Sequence, residues 1–386
     1  MIKIKTINKI TSLGIDLFDK KRYTVSDSEK NPDAIVVRSA DMHSLELNPE
    51  LKAIARAGAG YNNIPVDKCG ESGIVVFNAP GANANAVKEL AIAALLLASR
   101  DIYGAIGWAR TLKSQPDIEK KVEEGKSNFS GPELAGKTLG LIGMGNTGSL
   151  VANAGIVLGM NVIGNDPYMT IEGALSLSRS VRIERERDEI FEKSDYISLH
   201  ALVTPETKNM INAESIAKMK PGVRIINMAR ADLVDDDAMA DALNSGKVAK
   251  YVTDFPNAKV LAMKNVVPIP HLASSTPESE DKCAVMAVNQ IIDYLENGNI
   301  RNSVNYPDLV KDRIGDVRIC VMHKNVKGTL AEISTSISTL GLNIENMTNR
   351  SRGDLAYTIC EINGEVPAGF AEKLASTPDI IRVHVV

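Results

Sequence analysis

Three short segments of the chain carry residue types able to work on a hydroxyl beside a carboxylate. Pro270-His271-Leu272-Ala273-Ser274-Ser275-Thr276 places an imidazole just past the apolar run 265–268. Imidazole titrates near neutrality, so His271 can move a proton to or from a hydroxyl; the alternative is a structural histidine. Asn227-Met228-Ala229-Arg230 ends a second run, 224–227. The planar fork of Arg230 suits a carboxylate, unless it serves a surface ion pair. Asp254 closes a third run, 251–253. Its carboxylate either hydrogen-bonds a nicotinamide carboxamide or caps a turn.

Gly143-Met144-Gly145-Asn146-Thr147-Gly148 has the spacing G-x-G-x-x-G. It follows the apolar run 139–142 and opens a helix through Val151 and Ala152. The first Gly makes a tight turn, the second admits a pyrophosphate to the backbone, and the third lets helix and strand pack closely. Asp166 stands about 20 residues further on, after the run 161–164. A carboxylate there accepts from a ribose 2′-hydroxyl and repels a 2′-phosphate, so NAD is expected over NADP.

In the N-terminal half, Arg38-Ser39 and Arg56-Ala57-Gly58-Ala59-Gly60-Tyr61-Asn62-Asn63 both follow apolar runs, as does Asn78-Ala79-Pro80-Gly81-Ala82-Asn83. Amides in a Gly-rich turn beside Arg form an anion nest. These loops are expected to close over a ligand crevice from an opposing domain. The five His are far apart and none lies in H-E-x-x-H or near clustered Cys, so no metal is expected. Neither G-x-S-x-G nor a Walker loop occurs.

The elements that must position these residues alternate. Runs 34–37, 51–55 and 74–77 read as buried strands, followed by an apolar-periodic helix over 84–102. A second series has strands at 139–142, 161–164, 195–199, 224–227, 250–253 and 265–268. Alternating strand and helix predicts a parallel, doubly wound α/β sheet. The charge-dense stretch 179–195 reads as a solvated helix, and Pro-containing 306–315 as a linker. From 316 onward the order strand-helix-strand-strand-helix-strand is the ferredoxin-like plan.

Composition excludes other classes. The chain has 386 residues, 44% hydrophobic and 24% charged, enough apolar material for packed cores. A net charge of −4 leaves no basic footprint for nucleic acid, and one Trp offers little stacking surface. Cys69, Cys283, Cys320 and Cys360 form no close pair and read as reduced thiols. The N-terminus lacks signal-peptide features, and the apolar stretch 90–98 is about half a bilayer span. A cytoplasmic protein without membrane partners is expected.

The assembled motifs resemble the D-isomer-specific 2-hydroxyacid dehydrogenases, in the branch that ends in an ACT domain. The carriers are the 56–63 turn, Asn78-Ala79-Pro80-Gly81, the run and fingerprint 137–148, and Asp166-Pro167. Further carriers are Leu199-His200, Thr204-Pro205-Glu206-Thr207, Asn227-Met228-Ala229-Arg230 with Val234-Asp235, and Pro270-His271 with Ser275-Thr276. The resemblance implies NAD-dependent oxidation of 3-phosphoglycerate to 3-phosphohydroxypyruvate, the entry to serine synthesis. It implies a catalytic pair, Arg230 holding the carboxylate and His271 taking the hydroxyl proton, with Asp254 orienting the carboxamide. Cofactor contacts are implied at Gly143, Gly145, Asn146, Thr147, Gly148, Asp166, His200, Met228, Ala229, Asp254 and Ser274. Substrate contacts are implied at Arg38, Ser39, Arg56, Ala59, Gly60 and Asn83. It further implies a split lid domain (1–97 and 284–305), a Rossmann domain (98–283), a linker (306–315) and an ACT domain (316–386). His323, Asn325 and Asn343 match polar residues that hold an L-serine effector, although Asn325 also suits an ordinary turn. Homodimers or homotetramers are usual.

The chain departs from that pattern. Members carry a Glu shortly after the position of Asp254 that pairs with the catalytic His. Here Asp254-Phe255-Pro256-Asn257-Ala258-Lys259 has none, and no acid lies between Asp254 and His271. Glu278 and Glu280 are the acids just beyond His271. Ala231 and Ala273 replace glycines where a Cβ would crowd the cofactor, and Lys327 replaces a Pro. Two other readings follow: a dehydrogenase for a different 2-hydroxy acid, such as one reducing 2-oxoglutarate, or a non-catalytic regulator binding NAD and an amino acid.

Overall fold

The computed structural model describes residues 1–386, which divide into two compact units: Met1–Asn83 with Pro277–Val386, and Ala84–Thr276. The first unit opens with a five-stranded parallel sheet in the order β2-β1-β3-β4-β5. Its strands are β1 (Ile2–Ile7), β2 (Tyr23–Ser26), β3 (Ala34–Val37), β4 (Ala53–Arg56) and β5 (Val75–Phe77). Strands β3 to β5 lie where the apolar runs predict them. β1 and β2 were not anticipated, because Ile2, Ile4 and Thr6 alternate with lysines and β2 is a short, half-exposed edge. Helix Pro277–Asn297 covers this sheet, burying Ala287, Val288, Ile291, Tyr294 and Leu295 against Ile4, Val36 and Phe77.

The second unit is a seven-stranded parallel sheet, ordered β12-β11-β10-β9-β6-β7-β8. It comprises β6 (Thr138–Ile142), β7 (Asn161–Asn165), β8 (Arg182–Ile183), β9 (Tyr196–Leu199), β10 (Val223–Asn227), β11 (Val248–Thr253) and β12 (Val266–Pro268). This is the doubly wound arrangement, with strand order reversing beside β6. The stretch 179–195 is not one helix: it forms edge strand β8 and then helix Arg187–Lys193. Charged residues fit there because β8 is exposed on both faces.

The division between units falls at 83/84 and 276/277, not at 97/98 and 283/284. Helix Ala84–Ser99 turns Ala91, Ala94, Leu95 and Ala98 into the core that holds Leu139, Leu141, Val151 and Ile226. It therefore belongs with the nucleotide sheet.

The C-terminal part of the first unit is a four-stranded antiparallel sheet in the order β14-β15-β13-β16. Its strands are β13 (Val317–Lys324), β14 (Asn343–Arg352), β15 (Leu355–Asn363) and β16 (Ile380–Val385). Helices Thr329–Ser338 and Phe370–Ala375 complete the ferredoxin-like plan and cover one face through Ile333, Ile337, Phe370 and Leu374. The other face sends Cys320, Met322, Tyr357 and Ile359 into the same core as Phe77 and Tyr294. The expected linker is not loose at its start. Tyr306 is fully buried with its hydroxyl donating to Gly70 O at 2.7 Å, and Leu309 pairs with Ile300. Arg318, fully buried, donates to Glu361 Oε1 of β15 (2.6 Å) and joins β13 to this segment by donating to Lys311 O (3.0 Å). No single helix is long and apolar enough to cross a membrane.

Candidate active site

In the second unit the glycine fingerprint sits between β6 and helix Asn146–Val157. Gly143 has φ +89°, and a Cβ there would lie 2.6 Å from the backbone of His200. A Cβ on Gly148 would lie 2.0 Å from Gly143 O, whereas one on Gly145 would meet nothing within 4 Å. Two of the glycines thus pack the turn, and Gly145 faces the open space that a pyrophosphate needs. Asn146 and Thr147 stand in the first turn of the helix, whose free amides and dipole favour an anion. Asp166 accepts the Met144 amide on Oδ2 (2.8 Å) and the Tyr168 amide on Oδ1 (2.9 Å). Its half-exposed carboxylate keeps lone pairs for a ribose diol. The donor set fits a dinucleotide.

His200 stands behind the turn, its Nε2 2.9 Å from Ser198 Oγ. Burial pushes its pKa down to about 4, so the ring is neutral and supports Gly143 through its backbone. Met228 is buried in the core, next to Ala229.

Two buried side chains shape the loops that carry Arg230 and His271. Asn227, fully buried at the end of β10, accepts the amides of Ala229 (3.1 Å) and Arg230 (3.3 Å) and donates to Arg230 O (2.8 Å). Arg230 itself is exposed, with Nη1 donating to Ala229 O at 2.6 Å. Asp254, fully buried after β11, accepts the Leu272 amide on Oδ1 (2.7 Å) and the Ala273 amide on Oδ2 (2.9 Å). Asp254 thus serves as the cap of this turn. Burial raises its carboxyl pKa; the two amides and His271 oppose the rise. The Asp254 amide donates to Asn227 O at 3.0 Å, tying the two loops together.

His271 is exposed, adopts φ +54°, and leans on Phe255 with ring centroids 5.1 Å apart. A non-glycine residue in the left-handed region is uncommon and concentrates at functional loops. No acidic side chain hydrogen-bonds its ring within this unit. Ala273 buries its methyl in the core, whereas Ala231 is exposed in the short turn Ala231–Leu233. Ser274 lies half-buried in the His271 loop.

The first unit carries the loops expected to form an anion nest. Arg38 follows β3, Arg56 ends β4, and the register places Val37 beside Arg56. The Arg56 guanidinium lies across Gly58: a Cβ there would come within 1.8 Å of Nη1. Ala59 O accepts from Asn78 Nδ2 at 2.6 Å, which ties the 56–63 turn to the third loop; Gly60 and Asn83 are half-buried. Ser39 does not offer its amide to a ligand. That N–H and the next one donate to Asn8 Oδ1 (3.0 and 2.8 Å).

Residues 93–273 match the D-isomer specific 2-hydroxyacid dehydrogenase, NAD binding domain, family. A hydroxypyruvate reductase of Thermotoga maritima is 40% identical over 272 residues, 67% of this chain and 83% of that protein. The chain belongs to the D-isomer specific 2-hydroxyacid dehydrogenases. Its nucleotide-binding unit is an NAD-binding domain of that family. A D-3-phosphoglycerate dehydrogenase of Synechocystis is 32% identical over 381 residues, 93% of this chain and 65% of the relative; the chain thus spans slightly less than two thirds of it. Among solved structures, NAD+-bound 3-phosphoglycerate dehydrogenase of Entamoeba histolytica superposes with a TM-score of 0.63 at 27% identity, covering 80% of this chain and 99% of that one.

Within the His271 unit nothing stands in for the family's Glu, and the two acids just beyond His271 belong to the first unit. Glu280 is ion-paired with Arg38 (2.6 Å) in the first unit, and Glu278 is exposed in the first turn of helix Pro277–Asn297. The three effector residues are not brought together within one chain. His323 is buried, with Nδ1 2.8 Å from Lys324 O and Nε2 2.9 Å from Thr358 Oγ1. Asn325 caps the neighbouring turn, donating to Gly353 O at 3.1 Å. Asn343 donates to Glu345 (2.8 Å) and pairs with Asn363, whereas His323 pairs with Ala356. Seven residues of β15 separate those levels, roughly 24 Å at the rise of a strand.

The residues that sequence reasoning missed are the positioning ones. Asn227 stood inside a quoted motif, and its signal was a polar residue closing an apolar strand three residues before an Arg. Glu280 was noted only as an acid beyond His271; its pairing with Arg38 had no signal, because the two lie 242 positions apart.

Proposed function

We propose that the protein is an NAD-dependent dehydrogenase that interconverts 3-phosphoglycerate and 3-phosphohydroxypyruvate in the cytoplasm. The supporting observation is the pair of clamped loops: Asn227 and Asp254 present Arg230 and His271, both exposed, from strand ends of one sheet joined by a backbone hydrogen bond. Arg230 binds the substrate carboxylate and polarises the C2 oxygen. His271 takes the C2 hydroxyl proton in oxidation and returns it in reduction. Bound NAD supplies the hydride acceptor at C2. Arg38 and Arg56 bind the anionic tail. The test is NADH oxidation with 3-phosphohydroxypyruvate: a robust rate lost in Arg230→Gln supports the proposal, and none, with NADH still bound, favours a regulator without turnover.

A second substrate, hydroxypyruvate, is favoured by the 40% identity to the Thermotoga maritima hydroxypyruvate reductase. The same assay with both oxo acids, and with 2-oxoglutarate, ranks them.

Regulation by L-serine through His323, Asn325 and Asn343 requires two chains, since one chain holds these residues at opposite ends of the sheet. The apolar surface of helix Ile102–Thr111, with Tyr103 and Ile106 more than half exposed, suits a homo-oligomer. Sedimentation with and without serine tests both: a monomer that ignores serine removes them.

A further inference from the structure

One ion pair joins a residue of the anion nest to a carboxylate of its own chain. Arg38 Nη2 donates to Glu280 Oε1 at 2.6 Å, and about a third of each side chain is exposed (37% and 33%). Glu280 projects from the first turn of helix Pro277–Asn297, and Cys283 follows it on the same helix. The Cys283 thiol is raised by burial, pulled down by Arg56 and Arg38, and pushed up by Glu280. Both arginines and Glu280 thus act on one thiol, and the strand register sets Arg56 beside Val37, the neighbour of Arg38.

A carboxylate on a guanidinium is a charge-assisted hydrogen bond of the kind an anionic ligand would make. A dianion entering this nest must displace Glu280 or sit beside its like charge. At an effective dielectric near 20, two like charges about 5 Å apart repel by more than a tenfold change in affinity is worth. A tail without charge meets no such opposition.

We propose that Glu280 is a specificity-determining residue: its carboxylate occupies Arg38 in place of a substrate anion, and it sets the preference between phosphorylated and unphosphorylated 2-oxo acids. This rests on the reading of Arg38 and Arg56 as ligands of the substrate's tail. Glu280→Gln removes the charge and keeps an acceptor for Arg38, so the arginine stays placed.

The experiment compares kcat/KM for 3-phosphohydroxypyruvate and hydroxypyruvate, with NADH, in the wild type and in Glu280→Gln. The ratio is expected to rise about tenfold or more in favour of the phosphorylated acid. An unchanged or lower ratio overturns the inference. Calorimetric titration of the NADH complex with inorganic phosphate reads the same property without turnover; Glu280→Gln should bind at least about tenfold more tightly, and Arg38→Gln in that background should abolish the gain. A wild type that reduces neither acid defeats the proposed function and leaves the phosphate titration to decide the role of Glu280. If Glu280→Gln fails to fold in a thermal melt, Glu280→Asp, which draws the carboxylate back by one methylene, is titrated instead. A smaller gain supports the inference, and no gain overturns it.

Discussion

The amide of His271 donates to the main-chain carbonyl of Asp254 at 3.1 Å, and the Asp254 side chain then accepts the next two amides. One buried residue thereby fixes three consecutive backbone groups of the loop that carries the imidazole. In Asp254→Asn one acceptor becomes an NH2 group facing an N–H. A loss of about 1–3 kcal/mol in stability is expected. Turnover should fall while NADH affinity stays within about twofold. Urea melts and NADH titration check this; weakened NADH binding as the main effect would assign Asp254 to the nicotinamide carboxamide instead.

His271 itself is separable from the fold. Asn tolerates its left-handed φ of +54° better than most residues. His271→Asn should melt near the wild-type temperature and bind NADH normally, yet lose about 10²–10⁴ in kcat. A variant retaining most of its activity would show that another group moves the proton.

The fingerprint glycines make opposite predictions. Gly145→Ala puts a methyl into open space, so the fold is kept and NAD affinity drops about tenfold or more as the pyrophosphate is held off. Gly148→Ala drives a Cβ to 2.0 Å from Gly143 O, so the sheet–helix contact itself fails. Thermal melts with and without NAD separate the two.

Acid should destabilise both units through two histidines. Burial pushes His200 down to about 4; it does the same to His384, helped by Lys52 and Arg382 and opposed by Asp33. Each ring is neutral in the native chain and protonates near 6.5 when unfolded. The native pKa lies below the unfolded one, so stability is full above 6.5 and is lost as pH falls toward 4. Each ring contributes on the order of 2 kcal/mol to that loss. Melting curves between those limits should flatten in His200→Gln and in His384→Gln; unaltered slopes would place the acid sensitivity elsewhere.

The strand runs, the fingerprint with Asp166, and the C-terminal strand order were all legible, because each is written in contiguous residues with a fixed period. Edge strands β2 and β8 were not, since a half-exposed strand needs no apolar run. The departure at Ala273 could not be weighed from sequence: whether its methyl meets a cofactor or a core depends on the Asp254 cap 19 positions away. His323 and Asn343 matched an effector site residue by residue, yet the register of β15 keeps them apart. Polar contacts between distant segments leave no periodic trace.

The face of the C-terminal sheet that meets Phe77, Tyr294 and Tyr306 bears on the history of such chains. A regulatory module hung on a tether can be exchanged by recombination with little repair. Here Cys320, Met322, Tyr357 and Ile359 complete an interior begun by the N-terminal strands, and Arg318 reaches back to Lys311. A crossover near residue 310 would hand each descendant half an interior. The two pieces must therefore be inherited together, and substitutions on one side of the seam are constrained by those on the other.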